Sequence, residues 1–455
     1  MGELTGQMRA EIAGSRGERP RVVIVGGGFA GIHAAQSLKN MNVSVTLIDK
    51  RNHHLFQPLL YQVALAVLSP ADIAQPIRSI LSNQSNVEVL MDEVVGIDVG
   101  ARKLTLGSGA QVDYDYLALA TGASHSYFGH EDWAQLAPGL KTVEDALEIR
   151  RRVLLAFELA ERQMMEHGWH PPLNFVVIGG GPTGVELAGA ISDIAQLYMK
   201  SDFRHIDPRK SRVLLLDGGP RLLAAYPEDL SAKAEEELKR LGVEVHTKTN
   251  VTNVGPGWVE ANGERFESVV TLWAAGVQAS SLGKLLGAPV DKRGCVMVDD
   301  RLNPPGLPEV FVLGDLAHVE ENGKQVPGVA QPAMQMGDHV AKIVAADLEG
   351  RPRPAFHYFD KGDMATIGRM AAVAKVEWPF KAHLSGLPAW LTWIGVHIFF
   401  LIGFRNRIFV IWTWVWTYFT FRRGARLITG DQRLPGWREQ TDAGKDARGG
   451  SQAAD

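Results

Sequence analysis

Short runs of β-branched and aliphatic residues, each ended by glycines and followed by a helix-periodic stretch, recur along this 455-residue chain. Arg21 to Val25 reads as a buried strand that runs into Gly26-Gly27-Gly28 and then into a helical stretch from Phe29 to Lys39. A second strand, Val43 to Ile48, ends on Asp49 and completes a strand-helix-strand unit of about 30 residues. The same grammar returns at Phe175 to Ile178, Gly179-Gly180-Gly181, a helix through about Tyr198, and a strand from Arg212 to Leu216 that ends on Asp217. Each unit has a closing strand entering a turn: Tyr116 to Gly122 in the first, Thr271 to Gly276 in the second. Val310 to Asp315 is another strand into a turn, and Gln331 to Leu348 is a helix candidate. The predicted fold class is α/β, with two Rossmann-like dinucleotide-binding domains.

The glycine spacing gives these turns a chemical meaning. Gly26 permits the tight turn, Gly28 lets backbone approach a pyrophosphate, and Gly31 lets helix and strand pack closely, while the helix N-terminus carries partial positive charge. Gly179, Gly181 and Gly184 repeat the arrangement. One such match is weak; two, each between a strand and a helix, predict two bound dinucleotides. Asp49 lies 18 residues after Gly31, where an acid accepts hydrogen bonds from a ribose. Asp217 comes 33 residues after Gly184, because a charged insertion at 201–210 lengthens the crossover. An acid at this position favours the 2′-hydroxyl of NADH and repels the 2′-phosphate of NADPH, although nearby Arg221 keeps NADPH open.

Composition narrows the chemistry. The 47 Lys and Arg against 51 Asp and Glu leave a net charge of -4, which gives nucleic acid no electrostatic reason to bind. Cys295 is the single cysteine, so a redox cysteine pair within the chain is excluded, and no Cys/His spacing of a zinc or iron-sulfur site is present. No metal site is expected. Residues 1–20 hold no apolar run of the kind a secretory signal needs, and a reducing compartment is the simplest reading.

Three segments carry a family likeness: His54-Leu55-Phe56-Gln57-Pro58-Leu59-Leu60-Tyr61-Gln62, Gly180-Gly181-Pro182-Thr183-Gly184-Val185-Glu186, and Ala330-Gln331-Pro332-Ala333-Met334-Gln335. With the two glycine loops, they make the chain resemble the two-dinucleotide-binding-domain flavoproteins and, within them, the type II, non-proton-pumping NADH:quinone oxidoreductases, over residues 20–430. The resemblance implies that the first unit binds FAD and that the second, inserted into it, binds NADH. FAD contacts are then expected at Gly26, Gly28, Phe29, Ala30, Gly31, Asp49, Lys50, Thr121, Gly122 and Asp315. NADH contacts are expected at Gly179, Gly181, Thr183, Gly184, Asp217, Ala275 and Gly276. Many members carry Glu where this chain has Asp49 and Asp217, a change that keeps the charge. Gln331 and Gln335 fit the family's A-Q-x-x-x-Q quinone pattern, whereas the local reading is two glutamines capping a helix start. Glu186 is implied near the nicotinamide and the quinone, there to orient the one or to help deliver protons to the other. Its local reading is a carboxylate complementing the helix dipole. Lys361 and Met364 also match family positions near the quinone cavity.

The C-terminal third bears on the acceptor. A Pro-rich joint at 351–354 precedes a region that turns apolar and aromatic from Trp390 to Phe421. Trp390 to Phe404 would span about 22 Å as a helix, short of the roughly 30 Å hydrocarbon core. Arg405-Asn406-Arg407 then interrupts before Ile408 to Phe421. Interfacial tryptophans (Trp390, Trp393, Trp412, Trp414, Trp416) followed by Arg422, Arg423 and Arg426 predict a monotopic hairpin lying in one leaflet, with a buried dimerisation hairpin as the competing arrangement.

The expected organisation is a disordered leader (1–19), a first FAD part (20–142), an NADH domain (143–294), a second FAD part (295–350), a subdomain (351–386), a membrane-anchoring hairpin (387–430) and a disordered tail (431–455). Expected partners are a membrane quinone, the bilayer and a second copy of the chain, with the protein on the cytoplasmic face of the inner (plasma) membrane. Two other functions fit part of the pattern: a soluble NAD(P)H-dependent reductase of an electron-transfer protein, and a membrane-tethered NADH sensor.

Overall fold

In a computed structural model of the protein, residues 19–200, 202–420 and 425–437 are described. Numbered along the chain, the strands used below are β1 (Arg21–Val25), β2 (Ser44–Asp49), β3 (Val87–Met91), β4 (Tyr116–Leu119), β5 (Asn174–Ile178), β6 (Arg212–Leu216), β7 (Val243–His246), β8 (Val270–Trp273), β9 (Val310–Val312), β10 (Gly362–Gly368), β11 (Ala371–Val376) and β12 (Ala382–Ser385). The helices are α1 (Phe29–Ser37), α2 (Val143–His167), α3 (Pro182–Asp193), α4 (Ala330–Leu348), α5 (Gly386–Phe400) and α6 (Phe404–Thr420). The chain divides into two units, one built from residues up to Leu55, Ala74–His125 and Val277–Asp360, the other from Phe56–Ile73, Ser126–Gly276 and the chain from Lys361 onward.

In the first unit the apolar runs pair as a parallel sheet in the order β9-β4-β1-β2-β3. Val22, Val23 and Ile24 of β1 are fully enclosed, as strands covered on both faces must be. The second unit repeats the plan with β7-β6-β5-β8, also parallel. Its helix α2 starts on a capping box between Thr142 and Asp145 and stops on left-handed Gly168. The buried Arg150 of α2 donates to the carbonyls of Val63 (2.9 Å) and Leu68 (2.8 Å), fixing the segment that carries Tyr61 and Gln62.

Strands β10, β11 and β12 form an antiparallel sheet. The register slips between Thr366 and Gly368, and α3 presses on this bulge. A Cβ on Gly189 of α3 would lie 1.5 Å from the Ile367 carbonyl oxygen, so only glycine allows the approach. The helix expected through about Tyr198 does reach it, α-helical to Asp193 and π-helical over its last turn, Ile194–Tyr198.

Two C-terminal expectations change. Arg405-Asn406-Arg407 is not the break in the hairpin: it lies in the first turn of α6, and the chain turns at 401–403, where Gly403 has φ +90°. Arg407 reaches back to donate to the carbonyls of Leu401 and Phe399, both at 2.7 Å, and closes the end of α5. The tail is ordered at 431–437: Arg151 donates to the carbonyls of Asp431 (2.7 Å) and Arg433 (2.8 Å), and Leu434 is buried. The leader at 1–18, the tail at 438–455, and Arg422 and Arg423 lie outside the described residues. Among the described residues no helix is long and apolar enough to cross a membrane.

Candidate functional site

The two glycine loops share one plan. Gly26 takes φ +108° and Gly179 φ +111°, conformations that side chains with a Cβ avoid, and a Cβ there would lie 2.4 Å from Ala120 or 2.5 Å from Ala274 backbone atoms. A Cβ on Gly31 or Gly184 would stand 1.8 Å from the carbonyl oxygen of Gly26 or Gly179, so both helices start hard against their strands. Gly28 and Gly181, the cap residues of α1 and α3, meet nothing within 4 Å. That open space lies at the N-terminal ends of the two helices, a cradle suited to a pyrophosphate.

The acids close the loops. One carboxylate oxygen of Asp49 accepts the Gly27 N–H at 2.6 Å and the other the Arg51 N–H at 2.7 Å. Asp217 accepts the Gly180 N–H at 2.6 Å and the Gly219 N–H at 2.8 Å. Arg221 spends its guanidinium on the carbonyls of Leu223, Ala224 and Tyr226, tying its own loop.

Other first-unit residues fall around the loop in different ways. Ala30 is buried and Phe29 half-buried at the start of α1, while Lys50 is exposed and pairs with Glu93 at 3.5 Å. Gly122 has φ +66°, and the hydroxyl oxygen of Thr121 is buried with no protein partner. Asp315 sits in a 3-10 turn after β9, and its carbonyl accepts the Cys295 thiol at 3.4 Å. Burial pushes that thiol up to about 11, which makes Cys295 a core group and a poor nucleophile.

In the sequence His54 is only one letter of a motif, yet in the structure it packs against the first loop. It is 2 % exposed, meets the Phe29 ring edge-on at 5.1 Å, and sends Nδ1 to the Gly27 carbonyl at 3.0 Å. A carbonyl only accepts, so Nδ1 carries the proton and Nε2 is a bare acceptor, buried with no protein partner. Burial lowers its pKa to about 4, keeping the ring neutral. An acceptor of this kind, with the Thr121 hydroxyl and the open cradle at Gly28, fits a polar cofactor such as FAD. The signal in the sequence was a histidine close after Asp49, which has no periodicity to announce it.

Gln331 and Gln335 occupy the first turns of α4. Gln331 is half-buried, with its amide oxygen enclosed. Gln335 exchanges two hydrogen bonds with the main chain of Phe359, at 2.9 and 3.0 Å, so its amide is committed to the strap that follows α4.

In the second unit, Thr183 is half-buried at the start of α3, and the Gly276 carbonyl after Ala275 accepts the Ser126 N–H at 3.1 Å. Glu186, on α3, lines a cavity of about 110 Å3. Tyr61, Asp193, Thr366 and Arg369 give it polar walls; Trp390, Trp393, Ile394 and Trp414 give it apolar ones. Desolvation pushes the Glu186 carboxyl up to about 8, against a smaller opposing effect of the Thr366 N–H that donates to it. The carboxyl therefore holds its proton at neutral pH, unlike a carboxylate merely complementing a helix dipole. Lys361 lies over the Phe400 ring at 5.5 Å, and Met364 packs beside Ala372, Ala374 and Ala389. Among the described residues no acidic, His and Cys group could hold a metal ion.

A family profile for pyridine nucleotide-disulphide oxidoreductases matches residues 20–337. The chain is 44% identical over 429 residues to "Type II NADH:quinone oxidoreductase Ndh" of Mycobacterium tuberculosis, covering 91% of each. It is 29% identical to an internal alternative NAD(P)H-ubiquinone oxidoreductase of Arabidopsis thaliana, covering 88% of this chain and 84% of that one. Its fold matches that of NDH2 from Plasmodium falciparum in complex with NADH, with TM-score 0.79 at 20% identity over 91% of this chain and 100% of the other. A sulfide:quinone oxidoreductase from Aquifex aeolicus shares the fold at TM-score 0.69 and 20% identity, covering 92% of this chain and 100% of that one. With the two dinucleotide cradles and a single cysteine, the chain thus belongs to the pyridine nucleotide-disulphide oxidoreductase family and, within it, to the type II NADH:quinone oxidoreductases, enzymes that work with FAD and NADH.

Proposed function

We propose that this protein sits on a membrane surface, oxidises NADH and reduces a lipid-soluble quinone to the quinol without moving protons across the bilayer. FAD, when bound, supplies the two-electron chemistry between donor and acceptor. The residues supply position and protons. Gly26, Gly28 and Gly31 with Thr121, Gly122, Asp315 and His54 would hold FAD; Gly179, Gly181, Thr183, Gly184, Asp217, Ala275 and Gly276 would hold NADH. The spent guanidinium of Arg221 leaves Asp217 to select NADH over NADPH.

Quinone reduction by NADH consumes one proton beyond the hydride. The observation that carries the reading is Glu186: a carboxyl protonated at neutral pH, in a cavity whose other wall is made by two apolar helices. Gln331 is assigned to the flavin and quinone side of α4, and Gln335 to holding Phe359 in place.

The membrane reading rests on α5 and α6. Ile408, Trp412, Val415 and Phe419 fall at helical spacing on α6 and are all exposed, an apolar stripe opposite the inward Val410 and Thr417. The test is stopped-flow mixing of the flavin-loaded protein with NADH, then with a water-soluble quinone analogue. Bleaching followed by reoxidation is expected; bleaching without reoxidation would remove quinone as acceptor.

A further inference from the structure

The turn between β11 and β12 carries side chains that a surface turn rarely shows to water. Trp378 and Phe380 stand on either side of Pro379 and are 57 % and 64 % exposed, and Lys381 beside them is exposed as well. Turns between antiparallel strands are ordinarily built from Gly, Asn, Asp and Ser. Two large rings at one tip form an apolar patch instead, and neither lines the Glu186 cavity.

The tip is joined to the end of α5. The Glu377 N–H donates to the Lys361 carbonyl at 3.2 Å, and the Lys361 ammonium lies over the Phe400 ring at 5.5 Å. Helix α5 leaves β12 without a linker, at Ser385 and Gly386, and packs back along β11, where Ala389 meets Ala372 and Ala374. Its last turn therefore returns to the tip. Phe399, next to Phe400, is 68 % exposed, so the rings of Trp378, Phe380 and Phe399 belong to the same end of this sheet-and-helix layer.

Charge decides what covers this end. From Trp378 to Gly430 the sequence contains no Asp or Glu, whereas Lys381, Arg405, Arg407, Arg422, Arg423 and Arg426 are all basic. The acid-free run begins with the turn, ahead of α5. At the tip, Lys375 and Lys381 share the single carboxylate of Glu377, at 2.9 and 3.5 Å, which leaves a net positive charge. A protein partner accommodates charges of both signs, whereas anionic headgroups attract the cations and repel carboxylates. Exposed rings beside a lysine whose stem can snorkel suit the boundary between headgroups and acyl chains.

We propose that the β11–β12 turn is a second membrane contact: Trp378 and Phe380 enter the headgroup region of an anionic bilayer beside Phe399, with Lys381 held among the phosphates. The inference deepens the membrane reading of α5 and α6 and rests on it. Anchored by the stripe of α6 alone, the protein is free to roll about that helix axis. A second contact, on a different element, removes this rotation and fixes how the protein faces the lipid.

The experiment uses the full flavin-loaded chain and vesicles of phosphatidylcholine and phosphatidylglycerol. Cys295 is the single cysteine and is buried, so Phe380→Cys takes an environment-sensitive fluorophore at position 380 alone, and Glu264→Cys, on the exposed edge of the strand Glu264–Glu267, serves as the control. With vesicles, emission from position 380 is expected to shift to the blue and to be quenched by nitroxide-bearing lipids, and emission from position 264 to do neither. Trp378→Ser with Phe380→Ser should lower partitioning roughly tenfold and leave flavin bleaching by NADH as in the parent. A label at 380 that stays in water on protein that pellets with the vesicles, or partitioning unchanged in the double variant, overturns the second contact and leaves the stripe of α6 standing. A parent chain that fails to pellet overturns both. A blue shift that follows protein concentration without vesicles assigns the tip to a second copy of the chain and likewise overturns the proposal.

Discussion

The carboxylate of Asp217 serves two ends, and a substitution separates them. As an acceptor for Gly180 and Gly219 it shapes the loop; as a charge it repels a 2′-phosphate. Asp217→Asn keeps an acceptor oxygen and removes the charge. The expected outcome is a roughly tenfold gain in kcat/KM for NADPH relative to NADH, about 1.4 kcal/mol, read from steady-state rates with both nucleotides. Gly184→Ala tests the other half of the cradle. With 1.8 Å between a new Cβ and the Gly179 oxygen, overpacking costs about 1 to 3 kcal/mol, and NADH binding should weaken about tenfold or more while flavin content holds. Glu186 adds a pH dependence of stability. Its folded-state pKa of about 8 lies above its ordinary 4.5, so the unfolded chain releases this proton first. Its contribution therefore falls as pH rises from about 4.5 to about 8 and is level beyond. Glu186→Gln should raise Tm by several degrees at pH 8 and leave it little changed near pH 4, as calorimetry would show.

At the scale of elements, the hairpin turn offers a clean test of what ends α5. Arg407→Ala removes two charge-assisted donors from the carbonyls of Phe399 and Leu401, a loss of about 1 to 3 kcal/mol. Amide exchange across 399–403 should quicken, and that in β5 and β6 should not. This turn also shows where the sequence stops being readable. Strands ended by glycines announced themselves: Arg212 to Leu216 was placed to the residue, and α1, β2 and α4 to within two. Arginines inside an apolar run look like a break when only hydropathy is counted, yet Gly403 makes the turn and Arg407 snorkels back over it. The tail misled for a related reason: its composition is that of a disordered segment, but Arg151, 280 residues away, holds it at Asp431. His54 and Trp414 depend on pairings with Gly27 and Gln62, to which no local pattern points. The glycines and acids were legible because local backbone geometry demands them.

For the whole molecule, the question is how a protein without a membrane-crossing helix among its described residues would meet the lipid-soluble quinone proposed above. The two faces of α6 answer it together. One carries Val410 and Thr417, buried, and Trp414, bonded to Gln62; the other carries Ile408, Trp412, Val415 and Phe419, all exposed. An isolated exposed apolar residue needs no explanation, but a stripe along a helix that also lines the Glu186 cavity does. If the stripe lies in the interface, each buried side chain contributes about 1.5 to 3 kcal/mol. Trp412→Glu with Val415→Glu removes two such contributions and asks two carboxylates to leave water. The inner face is untouched, so the cavity and the Trp414–Gln62 bond persist. Partitioning into vesicles, followed by flavin absorbance in the pellet, should fall more than about 100-fold. Flavin bleaching by NADH should proceed as before, and reoxidation by a water-soluble quinone analogue should change far less than reoxidation by a long-tailed quinone held in vesicles. Unchanged partitioning would mean that this stripe meets protein instead of lipid, and that the substrate reaches the cavity by another face.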